Sequence, residues 1–170
     1  AILEFEPDVA LFYGWSWKVS SMIIHTCDSV MLHPAPLPKY RGGSPIQNQI
    51  LAGETVSAVT LFLMADELDA GDIIAQEPLS LEGTLESILG QMSAIGLRLT
   101  LDFLRHGYKR TPQDHSQATY CRRRRPEDSE ITLEELRSAP GRYLYDKVRM
   151  LGDPYPNAFI RTSDGLQLFI

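Results

Sequence analysis

Two side chains capable of acid–base chemistry, His33 and Asp69, lie at the ends of apolar runs that resemble buried strands. His33 closes the run Ser29–His33, and Asp69 lies in a turn-prone segment after the run Val56–Ala65. An aspartate beside a histidine holds the imidazole in one tautomer or stabilises its protonated form. A strand-end histidine and a turn aspartate occur in many folds, so these two residues alone do not identify a reaction.

The segment after His33 is rich in proline. His33–Pro45 contains four prolines and the pair Gly42-Gly43, a composition that excludes regular helix or strand. We therefore expect a rigid loop at the carboxyl end of a strand. Open α/β sheets usually carry their functional groups on loops of this kind.

Short apolar runs and one long periodic segment predict an α/β fold. Val9–Tyr13 and Ser29–His33 are expected to be strands buried on both faces, with a short helix within Ser16–Cys27 between them. Further predicted elements are a helix from Pro45 to Leu51, strands at Val56–Ala65 and Asp72–Pro78, and a helix over Thr84–His106 capped by Thr84 and Gly107. We expect a Rossmann-like, mostly parallel sheet with flanking helices.

The character of the chain changes after Gly107 and suggests three parts. They are a main core of residues 1–107, a polar linker of residues 108–130, and a small C-terminal subdomain of residues 131–170. In the subdomain we expect helices at Ile131–Ser138 and Arg142–Leu151 and a hairpin of Ala158–Thr162 with Leu166–Ile170. Because the chain starts without Met and ends within a strand, we expect missing N-terminal core strands and an incomplete β-containing subdomain.

The charge pattern bears on the choice of binding partner. The net charge is −6; residues 1–108 hold 5 basic against 13 acidic side chains, and residues 109–170 hold 11 against 9. An acidic main body argues against broad nucleic-acid binding, which needs a basic face. The tetrad Arg122–Arg125 is an exception, but beside Glu127 and Asp128 it fits a solvated turn better than an RNA-binding patch.

Composition gives no support to several other classes of protein. Cys27 and Cys121 are too few for a disulfide framework, and the four histidines lack metal-ligand spacing, so no metal is expected. The apolar stretches are too short to cross a bilayer, and the first residues lack the pattern of a signal peptide. We therefore expect a cytoplasmic protein with no membrane association.

Two motifs in order give the chain a family resemblance. The first is His33–Gly42 (HPAPLPKYRG) with Pro45–Gln47 (PIQ) after it, and the second is Leu68–Asp72 (LDAGD). Over about residues 7–107 the chain resembles the folate-dependent formyltransferases, which act on methionyl-tRNA, glycinamide ribonucleotide or nucleotide-linked sugars. The resemblance implies an enzyme that moves a formyl group from N10-formyltetrahydrofolate to an amine.

The catalytic trio of that family is an Asn-x-His pair and the aspartate of the Leu-Asp-x-Gly turn. By resemblance the histidine is His33 and the aspartate is Asp69, whereas Met31 stands at the position of the asparagine. In the family chemistry the amine attacks the formyl carbon, the asparagine and protonated histidine stabilise the oxyanion, and the aspartate moves protons through a water. Met31 cannot donate a hydrogen bond. Four readings stay open. In the first, His33 with backbone N–H groups, or a polar side chain such as Ser16 or Asn48, replaces the donor. The others are a slower reaction, an asparagine lost by mutation, and a folate-binding protein without turnover.

The resemblance also implies where the folate binds. The pterin pocket is expected between the loop Gly14–Lys18 and the turn Ala65–Asp69. The implied contact residues are Gly14, Trp15, Ser16, Trp17, Ala65, Asp66, Glu67 and Leu68. Trp15 and Trp17 either flank the flat pterin or belong to the core. The Leu37-Pro38 bond is expected to be cis, in a tight bend.

Two shorter segments bear on the acceptor amine. Asp153–Phe159 (DPYPNAF) is similar to an element of sugar N-formyltransferases, and Tyr120–Asp128 resembles the arginine-rich stretch before it in several relatives. They favour an amino group on a nucleotide-linked deoxysugar, as in lipopolysaccharide or glycan biosynthesis, with Arg122–Arg125 contacting the diphosphate or packing the subdomain. The alternative acceptor is methionyl-tRNA, a polyanion that an acidic body suits poorly. The choice between monomer and homodimer stays open.

Overall fold

A computed structural model describes residues 2–170, and most of its elements lie where the sequence pattern predicts them. The first part of the chain holds α1 (Ile2–Phe5), β1 (Val9–Phe12), α2 (Ser21–Ile24), β2 (Asp28–His33), β3 (Arg41–Gly42), α3 (Pro45–Leu51), β4 (Val56–Leu63), β5 (Ile73–Ser80) and α4 (Leu85–His106). The second part holds a 3₁₀ turn (His115–Gln117), β6 (Tyr120–Cys121), a 3₁₀ turn (Pro126–Ser129), α5 (Leu133–Ser138), α6 (Gly141–Arg149), β7 (Phe159–Arg161) and β8 (Gln167–Phe169).

The main sheet has the strand order β1-β2-β4-β5. The predicted α/β fold is confirmed, and among the described strands the sheet is mixed. β1 and β2 are parallel, whereas β4 runs antiparallel to both β2 and β5. The seven residues of α3 rise only about 10 Å, and β2 spans roughly 20 Å. Since α3 is too short to carry the chain back along β2, β4 enters at the His33 end of β2 and pairs antiparallel, with Thr60 opposite His33.

β1 is less buried than the sequence pattern predicts. The expectation that Val9–Tyr13 is a strand buried on both faces is wrong for the described residues, because Leu11 is 44% exposed and Tyr13 is exposed as well. β1 lies at the edge of the described sheet, and α4 packs against β4 and β5. A continuous apolar run therefore marks the strand without revealing how many of its faces are covered.

The hydrophobic core lies between α4 and the central strands. α4 contributes Leu85, Ile88, Leu99 and Phe103 to a cluster with residues of β2, α3, β4 and β5. Thr84 caps the helix by accepting a hydrogen bond from the Ser87 N–H, and Gly107 ends it at φ +71°, as expected. Among residues 2–170, no helix combines the length and apolar character that crossing a membrane requires.

The C-terminal residues pack against the core through buried charged side chains. Lys147 donates hydrogen bonds to the Glu130 carbonyl at 2.6 Å and to Glu135 Oε1 at 2.7 Å. Arg149 donates to the Leu81 carbonyl at 2.7 Å and to Asp146 Oδ1 at 2.6 Å. Buried charges need such partners because desolvation is costly. The division at residues 107 and 130 stays a prediction.

Candidate active site

His33 lies buried at the end of β2, with both ring nitrogens facing other protein groups. Nε2 is 2.9 Å from the Tyr40 carbonyl oxygen, and Nδ1 is 3.8 Å from Asp69 Oδ2. A carbonyl oxygen only accepts hydrogen bonds, so Nε2 carries the hydrogen in this contact. Among the described residues no donor lies within hydrogen-bond distance of Nδ1, and the Asp69 carboxylate faces this nitrogen.

Asp69 occupies a turn whose backbone is held at several points. Its carboxylate Oδ2 accepts a 2.8 Å hydrogen bond from the Gly42 N–H, and its φ is +51°. A side chain at Gly71 would place its Cβ 1.8 Å from the Leu63 carbonyl oxygen, so only glycine fits. The glycine of the Leu-Asp-x-Gly motif is thus explained by the close approach of this turn to the end of β4.

Arg41 is a fully buried charge in the loop between His33 and Asp69. Its Nε and one terminal nitrogen donate to Gln113 Oε1 at 3.2 and 2.7 Å, and the other terminal nitrogen donates to the Tyr120 hydroxyl at 3.0 Å. The Glu67 carboxylate is 3.6 Å away. A buried guanidinium is stable only with several acceptors, so this network fixes the loop that carries Gly42.

Residues 108–130 support this loop directly. β6 pairs with β3, and the Thr119 hydroxyl accepts a 2.8 Å hydrogen bond from the Tyr40 N–H. Gly42 contacts β6 so closely that an added Cβ would lie 2.3 Å from the Cys121 carbonyl oxygen. The pattern of polar residues and prolines in this segment suggests a linker, yet its backbone and side chains hydrogen-bond with the loop that follows His33.

The first half of the expected folate pocket is an exposed loop that follows β1. Trp15 and Trp17 are 48% and 74% exposed and meet edge to face at 5.6 Å between ring centroids. Of the two readings left open above, core packing is therefore wrong. Gly14 has a φ of +63°, and Ser16 Oγ accepts a 3.2 Å hydrogen bond from Arg123.

Asp66 connects the turn before Asp69 to the segment around α2. Hydrogen bonds from Ser21 and His25, together with the nearby Lys18 ammonium, lower the pKa of the Asp66 carboxyl. The contact with His25 Nε2 measures 3.1 Å. Because Lys18 belongs to the loop after β1, a charge of that loop acts on the turn that forms the other half of the expected pocket.

The other three pocket residues on the turn have distinct surroundings. Glu67 Oε1 accepts a 3.0 Å hydrogen bond from the Tyr120 hydroxyl, and Leu68 is exposed. Ala65 lines a cavity of about 270 Å³ between α2 and the end of β4. Glu67 thus belongs to the Arg41 network, which leaves Leu68 as the exposed apolar side chain of the turn.

Met31 lies two residues before His33 on β2 and therefore on the same face of the strand. Its thioether provides no donor. Asn48 is a poor substitute because its amide nitrogen already donates to the carbonyls of Gly43, Ser44 and Arg122 at 3.0 to 3.1 Å. Among the described residues, no group of three or more His, Cys, Asp and Glu side chains could hold a metal ion.

The arginine tetrad is only partly a solvated turn. Both terminal nitrogens of Arg122 donate to the Asp128 carboxylate at 2.7 Å, and these bonds hold the pKa of Asp128 well below its usual range. Arg124 is half-buried and donates to the Asp128 carbonyl oxygen. Two arginines of the tetrad therefore hold the chain segment that leads into α5, and Arg123 reaches Ser16.

Comparison with known proteins agrees with this geometry. The family model described as "Formyl transferase" matches residues 1–88. A methionyl-tRNA formyltransferase from Staphylococcus aureus is 32% identical over 96% of the chain, which spans about half (53%) of that relative. The solved methionyl-tRNA formyltransferase from Clostridium thermocellum is 30% identical with a TM-score of 0.88, covering 99% of this chain and 78% of that one.

Another formyltransferase of solved structure has the same fold at lower identity. The 4-N formyltransferase from Francisella tularensis is 21% identical with a TM-score of 0.75, covering 96% of this chain and 69% of that one. The family model covers just over half of the chain, and it includes the strand of His33 and the turn of Asp69. The chain therefore belongs to the formyl transferase family.

Proposed function

We propose that the protein transfers a formyl group from N10-formyltetrahydrofolate to an amine, with His33 and Asp69 as catalytic residues. The proposal rests on the buried contact of 3.8 Å between His33 Nδ1 and Asp69 Oδ2. The other ring nitrogen, Nε2, is fixed by the Tyr40 carbonyl. This arrangement leaves Nδ1 as the ring nitrogen that exchanges a proton. Asp69 Oδ2 is held by Gly42, so Oδ1 is the oxygen free for a water.

In the proposed reaction, the acceptor nitrogen attacks the formyl carbon, and the developing oxyanion is stabilised by the protonated His33 ring. The bond between the formyl carbon and N10 of the folate then breaks. The acceptor nitrogen loses one proton and N10 gains one, and Asp69 passes this proton through a water. No metal is required for any of these steps.

For the folate, we propose the surface formed by the loop Gly14–Trp17 and the turn Ala65–Leu68. Exposed aromatic faces on the loop suit a flat heterocycle. The ammonium group of Lys18 on the loop helps to lower the pKa of Asp66 on the turn, which supports a shared pocket between loop and turn. Core packing does not account for the two tryptophans, because neither side chain is buried.

As the acceptor we propose the amino group of a nucleotide-linked deoxysugar. The support is the similarity of Asp153–Phe159 to an element of sugar N-formyltransferases, together with the acidic main body. The second candidate is methionyl-tRNA, favoured by the 32% identity to a methionyl-tRNA formyltransferase. A tRNA contacts proteins through many phosphates, and the charges of Arg122 and Arg124 are already engaged by Asp128.

The test is mass spectrometry of formylated products. The protein at its natural length is incubated with N10-formyltetrahydrofolate and either a panel of nucleotide-linked amino sugars or methionyl-tRNA. Formylated sugar supports the proposal, formylated methionyl-tRNA replaces the acceptor, and folate binding with no formylated product contradicts catalysis. A tRNA complex that weakens steeply with added salt also favours the second candidate.

Substitution of the catalytic pair tests the assigned roles. His33→Ala and Asp69→Ala are each expected to lower kcat by at least about 1,000-fold, because each removes a group that handles protons or charge in the transition state. The matched controls are His106→Ala and Asp102→Ala, which remove an exposed histidine–aspartate contact of 3.7 Å on α4. The mechanism is contradicted if turnover in the His33 or Asp69 variant equals turnover in the control variants.

A further inference from the structure

Gln113 joins the catalytic turn to the buried arginine. Its Nε2 donates to the carbonyl oxygens of Asp69 at 3.0 Å and Gly71 at 2.7 Å. Its Oε1 accepts two hydrogen bonds from Arg41. The side chain is only 6% exposed, so all four contacts are made away from bulk water.

These contacts require a glutamine side chain. Arg41 can only donate and the two backbone carbonyls can only accept, which fixes the orientation of the amide. A glutamate would keep the acceptor for Arg41 but would present an oxygen to both carbonyls. An asparagine is one methylene shorter and cannot span the same distance, and an apolar side chain makes none of the four bonds.

The backbone and the carboxylate of Asp69 are both held by contacts that involve the Gln113 side-chain amide. The Asp69 backbone, at a φ of +51°, is bonded to Gln113 directly. The Asp69 carboxylate accepts from Gly42, whose neighbour Arg41 is held by the same amide oxygen. Loss of the two donated bonds frees the turn from residue 69 to residue 71, and the carboxylate moves relative to His33.

We propose that Gln113 is a positioning residue, which sets the Asp69 carboxylate against the His33 ring for catalysis. This inference rests on the proposed function and adds to it a residue outside the two family motifs. The hydrogen bonds of Gln113 go to the Asp69 and Gly71 backbone and to Arg41, and not to the Asp69 carboxylate or to residues 65–68 of the proposed folate surface. Its effect is therefore on kcat, and the affinity for folate is unchanged.

The experiment compares Gln113→Glu with Gln117→Glu. Gln117 is an exposed glutamine of the same segment, so its variant carries the same charge change without the buried contacts. A displacement of about 1 Å at a catalytic group costs roughly 100-fold in rate. We expect Gln113→Glu to lower kcat about 100-fold, with the dissociation constant for tetrahydrofolate within about threefold of the parent. Gln117→Glu is expected to match the parent in both.

Amide hydrogen exchange measures the same geometry without turnover. The Gly42 N–H is protected by Asp69 Oδ2, so its exchange is expected to accelerate in Gln113→Glu while exchange within α4 is unchanged. If Gln113→Glu does not fold, Gln113→Met, which introduces no charge, is used for both measurements. Hydrogen exchange tests the positioning role of Gln113 separately from formyl transfer. If the parent protein forms no formylated product, the proposed function is refuted even where exchange at Gly42 changes as expected.

Two outcomes overturn the positioning role. In the first, a folded Gln113 variant keeps kcat within threefold of the parent and shows unchanged Gly42 exchange. In the second, kcat falls together with a matching loss of folate affinity and faster exchange throughout α4, which indicates general destabilisation. A selective loss of kcat with selective exposure of Gly42 supports the proposal.

Discussion

Replacing Gly42 with alanine is expected to disturb the proposed catalytic pair, His33 and Asp69, without altering either residue. The added Cβ would lie 2.3 Å from the Cys121 carbonyl oxygen, whereas an ordinary carbon–oxygen contact is about 3.3 Å, so β3 must shift by roughly 1 Å. The Gly42 N–H, now 2.8 Å from Asp69 Oδ2, then moves beyond hydrogen-bond distance. A misplacement of this size lowers kcat by about 100-fold, which is about 2.7 kcal/mol of activation free energy.

The matched control is Gly53→Ala. Gly53 has a φ of +84°, similar to the +102° of Gly42, but a Cβ there meets no atom within 4 Å. Both variants carry the strain of a positive φ, about 1–2 kcal/mol, and therefore a small fall in Tm. Only Gly42→Ala is expected to lose kcat in the formylation assay. Equal activity of the two variants refutes the argument that this close contact positions Asp69.

Two further predictions concern a strand position and a charge. Met31→Asn is expected to raise kcat by at least about 10-fold, because it adds an oxyanion donor; an unchanged rate in single-turnover assays means that another donor is present. Asp128→Asn is expected to cost about 1 kcal/mol of stability at pH 7. Since Arg122 lowers the folded-state pKa of Asp128, this contribution is full above the unfolded pKa of about 4 and is lost as the pH falls through the folded value. Urea unfolding from pH 7 down to pH 2 measures it, and a difference independent of pH contradicts the assignment.

Local sequence patterns predicted those parts of the fold that depend on neighbouring residues. Helix α4 was predictable from its periodic apolar face, and its first turn from Thr84, because a cap bonds an N–H only three residues away. The cis bond at Leu37-Pro38 agrees with the prediction made from the family resemblance. The burial of β1 was predicted wrongly because coverage of a strand depends on elements distant in the sequence, such as α4, which packs on β4 and β5 instead.

The contacts that support Asp69 could not be predicted from local patterns. Arg41 and Gln113 are 72 positions apart, and Gln113 lies among polar residues and prolines that are typical of a linker. Periodicity reports which face of an element is apolar, but it carries no information about which polar side chains meet across the fold. Arg41 had one signal, its place within a family motif, and Gln113 had none.

The position of residues 108–130 also bears on the choice of acceptor. Arg122 is bonded to Asp128, and Arg124 to the backbone of the same residue. Arg123 instead reaches Ser16 on the loop proposed for folate, next to an acidic body. A polyanion binds with an affinity that grows with the number of phosphates neutralised. Because two of these arginines are already paired within the protein, the site suits a compact anion such as a nucleotide diphosphate better than a polyanion. Residues 108–130 thus supply both Gln113, which hydrogen-bonds to the Asp69 backbone, and Arg123, whose guanidinium lies beside the proposed folate pocket. On this proposal the same segment supports catalysis and contributes to the choice of acceptor.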